Sequence, residues 1–353
     1  LSVIDLFKVH RHGDRTPVQQ TAQITHDFVE LQQLIEPYGY GQLTNIGIER
    51  SYKLGQFIRR RYDDQLSSRY NLSEIFIRST DSTRTKMSVL AAMAAVYPPN
   101  GRGWSASLNW TPTPYTTVPA KYDTVPVINC PAFVDAYYSA LLSPNDAMDD
   151  FSDLFEKLAS LGYDIRKRPV SVFTIYDTFV AQRNLGMTIQ PEILELFPEI
   201  QAAQADPLTA STTLNIYYFT AGVLLKSFFD VVDAAISGSE TKNIYILSAH
   251  DYNVFSLLSA TQVSPSPGVP QYSSLYSLEL RRVSASGEYV ILPVYLRSPE
   301  AEVEYLSIQG CDNLLCHVEQ FRQVTSRFVI NETTWRAKCE YDENMDLDLS
   351  SIE

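Results

Sequence analysis

The sequence predicts an α/β fold in which an open mixed sheet is flanked by helices and carries an inserted, mainly helical cap domain. Three observations predict this class. Short apolar, strand-like segments at 3–9, 75–77 and 243–249 are each followed closely by ionisable residues. Segments with helical periodicity lie between and after these strands. Residues 101–237 show helical patterns with little strand character, as expected of an insertion.

The first half of the predicted core contains two strands, each followed by a helix. The first helix is expected from the N-cap residue Thr44 to Tyr62. Its predicted buried face includes Leu54, Phe57 and Ile58. After the second strand, Ser79-Thr80-Asp81 provides N-cap chemistry for a helix that Tyr97-Pro98-Pro99 ends. The periodicity of this helix predicts a buried face formed by Met87, Leu90, Ala91, Ala94 and Ala95.

The domain organisation follows from a change of character along the chain. Residues 101–237 are predicted to form the cap, because a stretch rich in Pro, Thr and Tyr is followed there by helical patterns. Residues 1–100 and 238–339 are predicted to form the α/β core. Residues 340–353 form an acidic tail with six acidic residues and no basic ones.

The composition indicates a folded globular protein. The chain has 353 residues, of which 45% are hydrophobic and 20% charged, so it can bury a large core and is too apolar for wholesale disorder. Its formal net charge of -13 opposes binding to nucleic acid and to anionic membranes. The long apolar run at 214–236 carries Lys226, Asp230 and Asp233 at roughly helical spacing. This pattern indicates a buried amphipathic helix and argues against a membrane span.

The cysteine content indicates disulfides. The chain contains four cysteines: Cys130, Cys311, Cys316 and Cys339. None forms a CxxC pair and no histidine cluster accompanies them, so a zinc site is not expected. Three N-glycosylation sequons begin at Asn71, Asn109 and Asn331. Together these features predict two disulfides and secretion or a lysosomal route. The amino terminus leads directly into a strand, so we expect a mature form.

The residues that follow the first strand, Arg11-His12-Gly13-Asp14-Arg15-Thr16-Pro17, predict a phosphate site that contains a nucleophile. Two guanidinium groups can bind phosphoryl oxygens in a forked geometry. Gly13 allows the backbone to approach the ligand closely. The imidazole of His12 then lies where it could attack phosphorus. The alternative is a basic turn with a hydrogen-bonded histidine, which a lone Arg-His pair would favour and the full string does not.

Two further strand ends offer residues that would complete such a site. Arg78 follows the second strand, and His250-Asp251 follows the strand at 243–249. If the three strands are neighbours in one sheet, their ends converge on one crevice, where ligands bind in open α/β sheets. The six candidate site residues are Arg11, His12, Arg15, Arg78, His250 and Asp251.

This set predicts phosphoryl transfer through a covalent phosphohistidine. One nitrogen of His12 attacks phosphorus while the other keeps its proton for an acceptor such as a backbone carbonyl. The phosphate oxygens are bound by Arg11, Arg15, Arg78 and His250. Asp251 protonates the leaving group and then accepts a proton from water, which predicts an acidic optimum. The scheme needs no metal and no cofactor.

Neighbouring polar residues favour structural roles. His10 lies two residues before His12, and we favour a buried polar residue over a second nucleophile. Asp14 lies between two arginines, which favours an ionised, structural carboxylate. A Ser-His-Asp hydrolase lacks support, because the chain contains no GxSxG sequence.

Together these motifs resemble the histidine acid phosphatases, of the branch that includes prostatic, lysosomal and insect venom acid phosphatases. The resemblance covers nearly the whole chain. It rests on the RHGDRTP string, Gly41-Gln42-Leu43-Thr44, Arg78-Ser79-Thr80-Asp81 with Arg84-Thr85, Tyr97-Pro98-Pro99, Ser248-Ala249-His250-Asp251 and Gly310-Cys311, in the order of that branch.

The resemblance implies that His12 is the phosphorylated nucleophile and Asp251 the proton donor. It implies that Arg11, Arg15, Arg78 and His250 hold the phosphate. It also implies an α/β core with a helical insertion, and disulfides that join Cys130 to Cys339 and Cys311 to Cys316. Four positions depart from the family pattern: His10, Thr83, Tyr252 and Asn253. Of these, Tyr252 places a phenol beside the proton donor, where it could alter rate or leaving-group preference.

We therefore expect a secreted or lysosomal acid phosphatase that hydrolyses a broad range of phosphate monoesters. One alternative is a phytase-like inositol phosphate phosphatase using the same residues, although the inserted segment is not visibly basic. Another is a catalytically weak secreted protein of the same fold that binds a phosphorylated ligand. The sequence does not give the oligomeric state, and a homodimer is one of the alternatives.

Overall fold

The computed structural model of the protein describes residues 2–99, 104–142, 150–163, 172–210, 214–239 and 241–347. Within these ranges the chain forms a mixed sheet of eight strands with helices packed on both faces, which confirms the predicted α/β class. The strands are β1 (Ser2–Arg11), β2 (Ile75–Ser79), β3 (Thr116–Thr117), β4 (Ile244–Ala249), β5 (Leu275–Arg282), β6 (Tyr289–Leu296), β7 (Val303–Tyr305) and β8 (Cys316–His317). The helices are α1 (Phe28–Ile35), α2 (Asn45–Arg61), α3 (Thr83–Val96), α4 (Pro131–Leu142), α5 (Ser152–Ser160), α6 (Val172–Asn184), α7 (Pro191–Ala210), α8 (Leu214–Ile236), α9 (Asp251–Ala260), α10 (Val318–Thr325) and α11 (Glu332–Lys338).

The sheet topology brings the three predicted site strands together. The strand order is β3-β2-β4-β1-β5-β6-β7, with β8 paired to β6. Strands β2, β4 and β1 are parallel neighbours, whereas β5 is antiparallel to β1. The register pairs Arg11 with Ala249 and Ser79 with Ser248. The ends of β1, β2 and β4 therefore lie at the same edge of the sheet.

Helix α2 covers one face of the sheet as predicted. It begins after Thr44, whose side-chain oxygen accepts a hydrogen bond from the Gly47 amide at 3.2 Å. Its residues Leu54, Phe57 and Ile58 are buried against β2 and β4. The amphipathic pattern predicts the buried face of α2 correctly because its apolar stripe is continuous.

Helix α3 buries a different face from the predicted one. Met87 and Leu90 are 40% and 36% exposed, and of the five predicted residues only Ala95 is buried. The observed buried face includes Arg84, Thr85, Ser88, Val89, Ala92 and Met93. The reason is the close approach of α2, where a Cβ added at Gly55 would lie 2.0 Å from the Ala92 carbonyl oxygen. A small residue must face such a contact, so Ala92 packs on Gly55 and the helix is turned with Met87 and Leu90 outward.

The segments of the predicted insertion pack against different parts of the protein. Helices α5, α6 and α7 share a core of their own, with Leu154, Phe179 and Ile193 at its centre. Helix α8, which the sequence places in the insertion, packs Phe228 against Phe7 of β1. Strand β3, also inside 101–237, extends the sheet beside β2. The apolar stripe of α8 thus packs on the second face of the sheet.

Both predicted disulfides are formed. Cys130 and Cys339 have an S–S distance of 2.01 Å, and Cys311 and Cys316 one of 1.97 Å. The first connects the start of α4 to the end of α11 across 209 residues of sequence. Among the helices in the described part of the chain, none combines the length and apolar character that crossing a membrane requires.

His10 is a buried polar residue of β1, as predicted. Its side chain is fully buried, and Nδ1 lies 3.0 Å from the Arg11 carbonyl oxygen. Nε2 has no hydrogen-bond partner among the described residues. Burial lowers the pKa of His10 from 6.5 to about 4. The ring is therefore neutral, and it is a constituent of the core.

We expect His10→Phe to stabilise the protein more at pH 4.5 than at pH 7.5. Below pH 6.5 the unfolded chain binds a proton at His10 that the folded chain rejects until about pH 4, so stability falls as the pH falls through this window. At pH 4.5 this proton linkage costs about 2 kcal/mol, which phenylalanine removes. Urea unfolding at the two pH values measures it, with the exposed His26→Phe as control. Equal changes at both pH values would contradict the assignment.

Candidate active site

The geometry around His12 identifies which of its nitrogens can act as a nucleophile. His12 follows β1 and is buried; Nδ1 lies 2.8 Å from the Gly13 carbonyl oxygen, and Nε2 lies 3.2 Å from Nε of Arg84. A guanidinium group can only donate hydrogen bonds. Nε2 is therefore the acceptor and carries the lone pair, while Nδ1 carries the proton and donates it to Gly13.

The surroundings of His12 keep its imidazole neutral. Burial is the largest cause and the charges of Arg84 and Arg11 add to it, so that the pKa of His12 lies well below 6.5. A neutral imidazole retains its nucleophilic lone pair in mildly acidic solution. Burial and the charge of Arg15 in turn lower the pKa of Arg84 to about 10, which still leaves this group positively charged at acidic and neutral pH.

Arg11 and Arg15 are held by protein acceptors at their terminal nitrogens. Arg11 Nη1 donates to the Pro270 carbonyl at 2.9 Å, and Arg11 Nη2 contacts the carboxylates of Asp177 and Asp251 at 2.6 and 2.7 Å. Arg15 Nη1 donates to the Thr16 carbonyl at 3.0 Å, and Nη2 donates to Asp177 at 2.6 Å. The Nε atoms of both arginines are buried and have no acceptor among the described residues. These N–H groups are the donors left for the oxygens of a ligand.

The structure places Arg84, and not the predicted Arg78, in contact with His12. The guanidinium of Arg78 instead forms a 2.5 Å ion pair with the buried carboxylate of Asp123. Arg84 lies in the first turn of α3 and is buried. Among the neighbouring charges, that of Arg84 also has the largest effect in lowering the pKa of His250. Arg84 is thus the third cation beside Arg11 and Arg15 at this site.

His250 and Asp251 reach the same crevice from the start of α9. The ring centroids of His250 and His12 are 5.6 Å apart, and His250 Nε2 lies 3.1 Å from the Thr80 hydroxyl. Burial, followed by the charge of Arg84, lowers the pKa of His250 well below 6.5. Asp251 contacts Arg11 through Oδ2 at 2.7 Å and accepts the Tyr252 amide through Oδ1, also at 2.7 Å. Four of the other five predicted residues, Arg11, Arg15, His250 and Asp251, therefore lie in one crevice with His12.

The side chain of Tyr252, which departs from the family pattern, contacts Pro126 and His250. Its hydroxyl donates to the Pro126 carbonyl at 3.0 Å. Its ring stacks on His250 with centroids 5.3 Å apart and an interplanar angle of 3°. The phenol thus packs against the His250 ring, and its hydroxyl is occupied by the Pro126 carbonyl.

Asp14 has the structural role that its position between two arginines predicted. Its carboxylate is buried, contacts Arg50 at 3.1 Å and accepts a hydrogen bond from Asn184 of α6.

Besides Arg84, two further site residues lie outside the sequence-based set. Asp177 of α6 bridges Arg11 and Arg15, and the hydroxyl of Tyr272 donates to Asp177 at 3.1 Å. The Tyr272 ring also lies under Arg11, with 3.9 Å between Cζ and the ring centroid. Within the described ranges, no group of three or more His, Cys, Asp or Glu side chains is arranged to hold a metal ion.

These features define a class of site. Its centre is a buried, neutral histidine with its lone pair at Nε2, at the carboxyl edge of a parallel sheet segment. Three guanidinium groups surround it and a carboxylate adjoins them. Such an arrangement suits an oxyanion that reacts at its central atom.

Comparison with known proteins gives the family. Residues 4–157 match the histidine phosphatase superfamily (branch 2). A venom acid phosphatase of Apis mellifera is 31% identical over 330 residues, which cover 91% of this chain and 84% of that protein. Bovine prostatic acid phosphatase is 28% identical, with 94% of this chain and 86% of that protein covered. The chain therefore belongs to the branch 2 histidine phosphatases, and it is a phosphoric monoester hydrolase of the acid phosphatase type.

Solved structures show the same fold at lower identity. The Hafnia alvei phytase in complex with tartrate has a TM-score of 0.67 at 16% identity, covering 93% of this chain and 97% of that one. The Citrobacter braakii phytase has a TM-score of 0.63 at 13% identity, covering 96% and 99%. At these identities the likeness concerns the architecture alone.

Proposed function

We propose that this protein hydrolyses phosphate monoesters through a covalent phosphohistidine at Nε2 of His12, without a metal and with an acidic optimum. The observation that carries the proposal is the contact between Nε of Arg84 and Nε2 of His12, because it leaves the lone pair on a neutral nitrogen among three cations. The substrate phosphate would take over the donors of Arg84, Arg11 and Arg15 and so expose this lone pair to phosphorus.

The reaction then proceeds in two displacements. Nε2 of His12 forms a bond to phosphorus as the ester oxygen leaves, and the leaving oxygen takes the proton of Asp251. Water next attacks the phosphoenzyme and gives a proton to the Asp251 carboxylate, and the P–N bond breaks with its electron pair returning to Nε2. The imidazole of His250 donates a further hydrogen bond to the phosphate. Since Arg11 contacts Asp251 in the free protein, phosphate bound to Arg11 would release this carboxyl group for proton transfer.

Hydrolysis of an aryl phosphate from pH 4 to 8, with a chelator present, tests this function. We expect turnover that is highest on the acidic side and unaffected by the chelator. A wild-type protein without turnover would overturn the enzymatic function, and sensitivity to the chelator would overturn the metal-free mechanism.

The two arginines of the segment after β2 should differ in their effects. We expect Arg84→Met to lower kcat/KM by about 10²- to 10³-fold, because it removes a donor aimed at the charge on phosphorus. Arg78→Met should change kcat/KM less than about tenfold and mainly destabilise the protein, since it leaves the buried Asp123 without its ion-pair partner. Steady-state kinetics and thermal unfolding of both variants check this. Equal losses of kcat/KM would contradict the assignment of Arg84.

Phosphoenzyme formation should remain fast in mildly acidic solution. Protonation of His12 would remove its lone pair, and its pKa lies well below 6.5, so the rate constant of formation should not decline between pH 7 and 5. Rapid-quench measurements with a labelled substrate determine this rate constant. A tenfold fall per pH unit that begins near pH 6.5 would show that burial and the arginines do not perturb His12.

Location and assembly are further parts of the proposal. The two disulfides and the exposed sequon residues Asn71, Asn109 and Asn331 support a secreted or lysosomal protein. Its relatives include prostatic, venom and lysosomal acid phosphatases. The phytase likeness does not favour inositol phosphates, because it is a likeness of fold. A homodimer is an assembly state that size-exclusion chromatography with light scattering can test.

A further inference from the structure

The structure points to Asp177 as a positioning residue that orients both arginines of the RHGDRTP string from the cap domain, and this inference rests on the function proposed above. Asp177 lies in the middle of α6, 166 residues from Arg11 and 162 from Arg15 in sequence. One carboxylate oxygen contacts Arg11 Nη2 at 2.6 Å, and the other contacts Arg15 Nη2 at 2.6 Å. Within the described residues it is the carboxylate that joins these two cations.

The contacts of Asp177 determine which edges of the guanidinium groups remain for a phosphate. Each group is fixed at two corners, Arg11 by Asp177 and the Pro270 carbonyl, and Arg15 by Asp177 and the Thr16 carbonyl. The Nε–H donor of each group is left without an acceptor among the described residues. A planar guanidinium fixed in this way cannot rotate its remaining donor away from the crevice. Asp177 thus pre-organises two phosphate donors with one carboxylate.

Asp177 is itself buried among three partners and stays ionised. It is 7% exposed and accepts a third hydrogen bond from the Tyr272 hydroxyl at 3.1 Å. Burial acts to raise the pKa of Asp177, but the charges of Arg15 and Arg11 outweigh burial and lower the pKa below its ordinary value. Its helix is anchored in the cap core through Ile175 and Phe179. Asp177 therefore connects the two arginines to the packing of α6.

The charge of Asp177 makes its loss distinguishable from a simple packing defect. The crevice contains three cations, Arg11, Arg15 and Arg84, which Asp177 and Asp251 partly neutralise. Removal of one negative charge strengthens the field that attracts a phosphate dianion. Loss of positioning, in contrast, slows the chemical step, because misplacement by about 1 Å can cost 10²-fold in rate. The two effects act in opposite directions on ground-state binding and on catalysis.

Asp177→Asn tests both effects at once. The amide oxygen can accept from one arginine, but the amide nitrogen faces the other arginine donor to donor. We expect kcat to fall about 10²-fold, while the inhibition constant of inorganic phosphate falls or stays the same. Asp177→Glu keeps the charge and moves the carboxylate, so we expect a lower kcat without tighter phosphate binding. The exposed Asp153→Asn of α5 is the matched control for loss of one cap carboxylate, and it should behave like the wild type.

The outcomes separate this inference from the proposed function. An Asp177→Asn variant with kcat within twofold of wild type would overturn the positioning role, and so would a joint loss of kcat, phosphate affinity and thermal stability. If that variant does not accumulate in folded form, Asp177→Glu decides, and unchanged kcat in it overturns the inference. A wild-type protein that shows no turnover, or His12→Ala that retains it, would instead overturn the proposed function.

Discussion

Replacement of His12 by alanine is expected to abolish phosphoenzyme formation and to lower the hydrolysis of an aryl phosphate by about 10⁴-fold or more. Nε2 of His12 carries the lone pair that forms the covalent bond, and no other described imidazole occupies its position against Arg84. His250 lies 5.6 Å away between ring centroids, but its Nε2 contacts Thr80. His250 therefore cannot substitute as the nucleophile through Nε2 without losing its hydrogen bond to Thr80.

The measurement combines labelling with steady-state kinetics. Protein mixed with a substrate labelled at phosphorus is quenched in alkali, which preserves a phosphorus–nitrogen bond, and the protein-bound label is counted. The exposed His317→Ala serves as control and should label like the wild type. Label retained by His12→Ala at the wild-type level would refute the assignment of the nucleophile. Thermal unfolding confirms that the variant is folded.

The sequence predicted the parts of the site that depend on local order along the chain. Strand ends are recognisable where an apolar run meets ionisable residues, as at His250 after β4. Once β1, β2 and β4 are parallel neighbours, the placement of His12 and His250 at one edge follows. Which arginine contacts His12 as the third cation cannot be predicted from the sequence pattern, because Arg78 and Arg84 lie in the same strand-to-helix segment. Asp123, 45 residues beyond Arg78, pairs with Arg78, whereas Arg84 contacts His12.

The remaining site residues depend on packing that no local pattern encodes. Asp177 lies in a helical segment with ordinary spacing, and its partner arginines precede it by more than 160 residues. The packing partner of α8 is equally hard to predict, since an apolar stripe such as that of α8 fits either a cap or a sheet face. The observed face of α3 differs from the predicted one because the close approach at Gly55 requires a small residue, Ala92, at that point of the helix. In each case the deciding contact is made by a residue that is distant in sequence.

Asp251→Asn should slow esters with poor leaving groups much more than activated aryl esters. An alkoxide needs a proton as it departs, and loss of a general acid typically costs about 10²- to 10⁴-fold. A nitrophenolate departs without one, so its kcat/KM should fall less than about tenfold. The ratio kcat/KM is the appropriate quantity, because both esters give the same phosphoenzyme and kcat includes its common hydrolysis.

The comparison also separates proton donation from the second role of Asp251, its 2.7 Å contact with Arg11. A displaced Arg11 would weaken the hold on phosphorus, which both esters share, and would lower the two kcat/KM values by the same factor. Loss of the proton acts only where the leaving oxygen needs it. Measurement of kcat/KM for an alkyl and a nitrophenyl phosphate with wild type and Asp251→Asn therefore decides the role. An equal loss for both esters would make Asp251 a partner of Arg11 and leave the proton to another source.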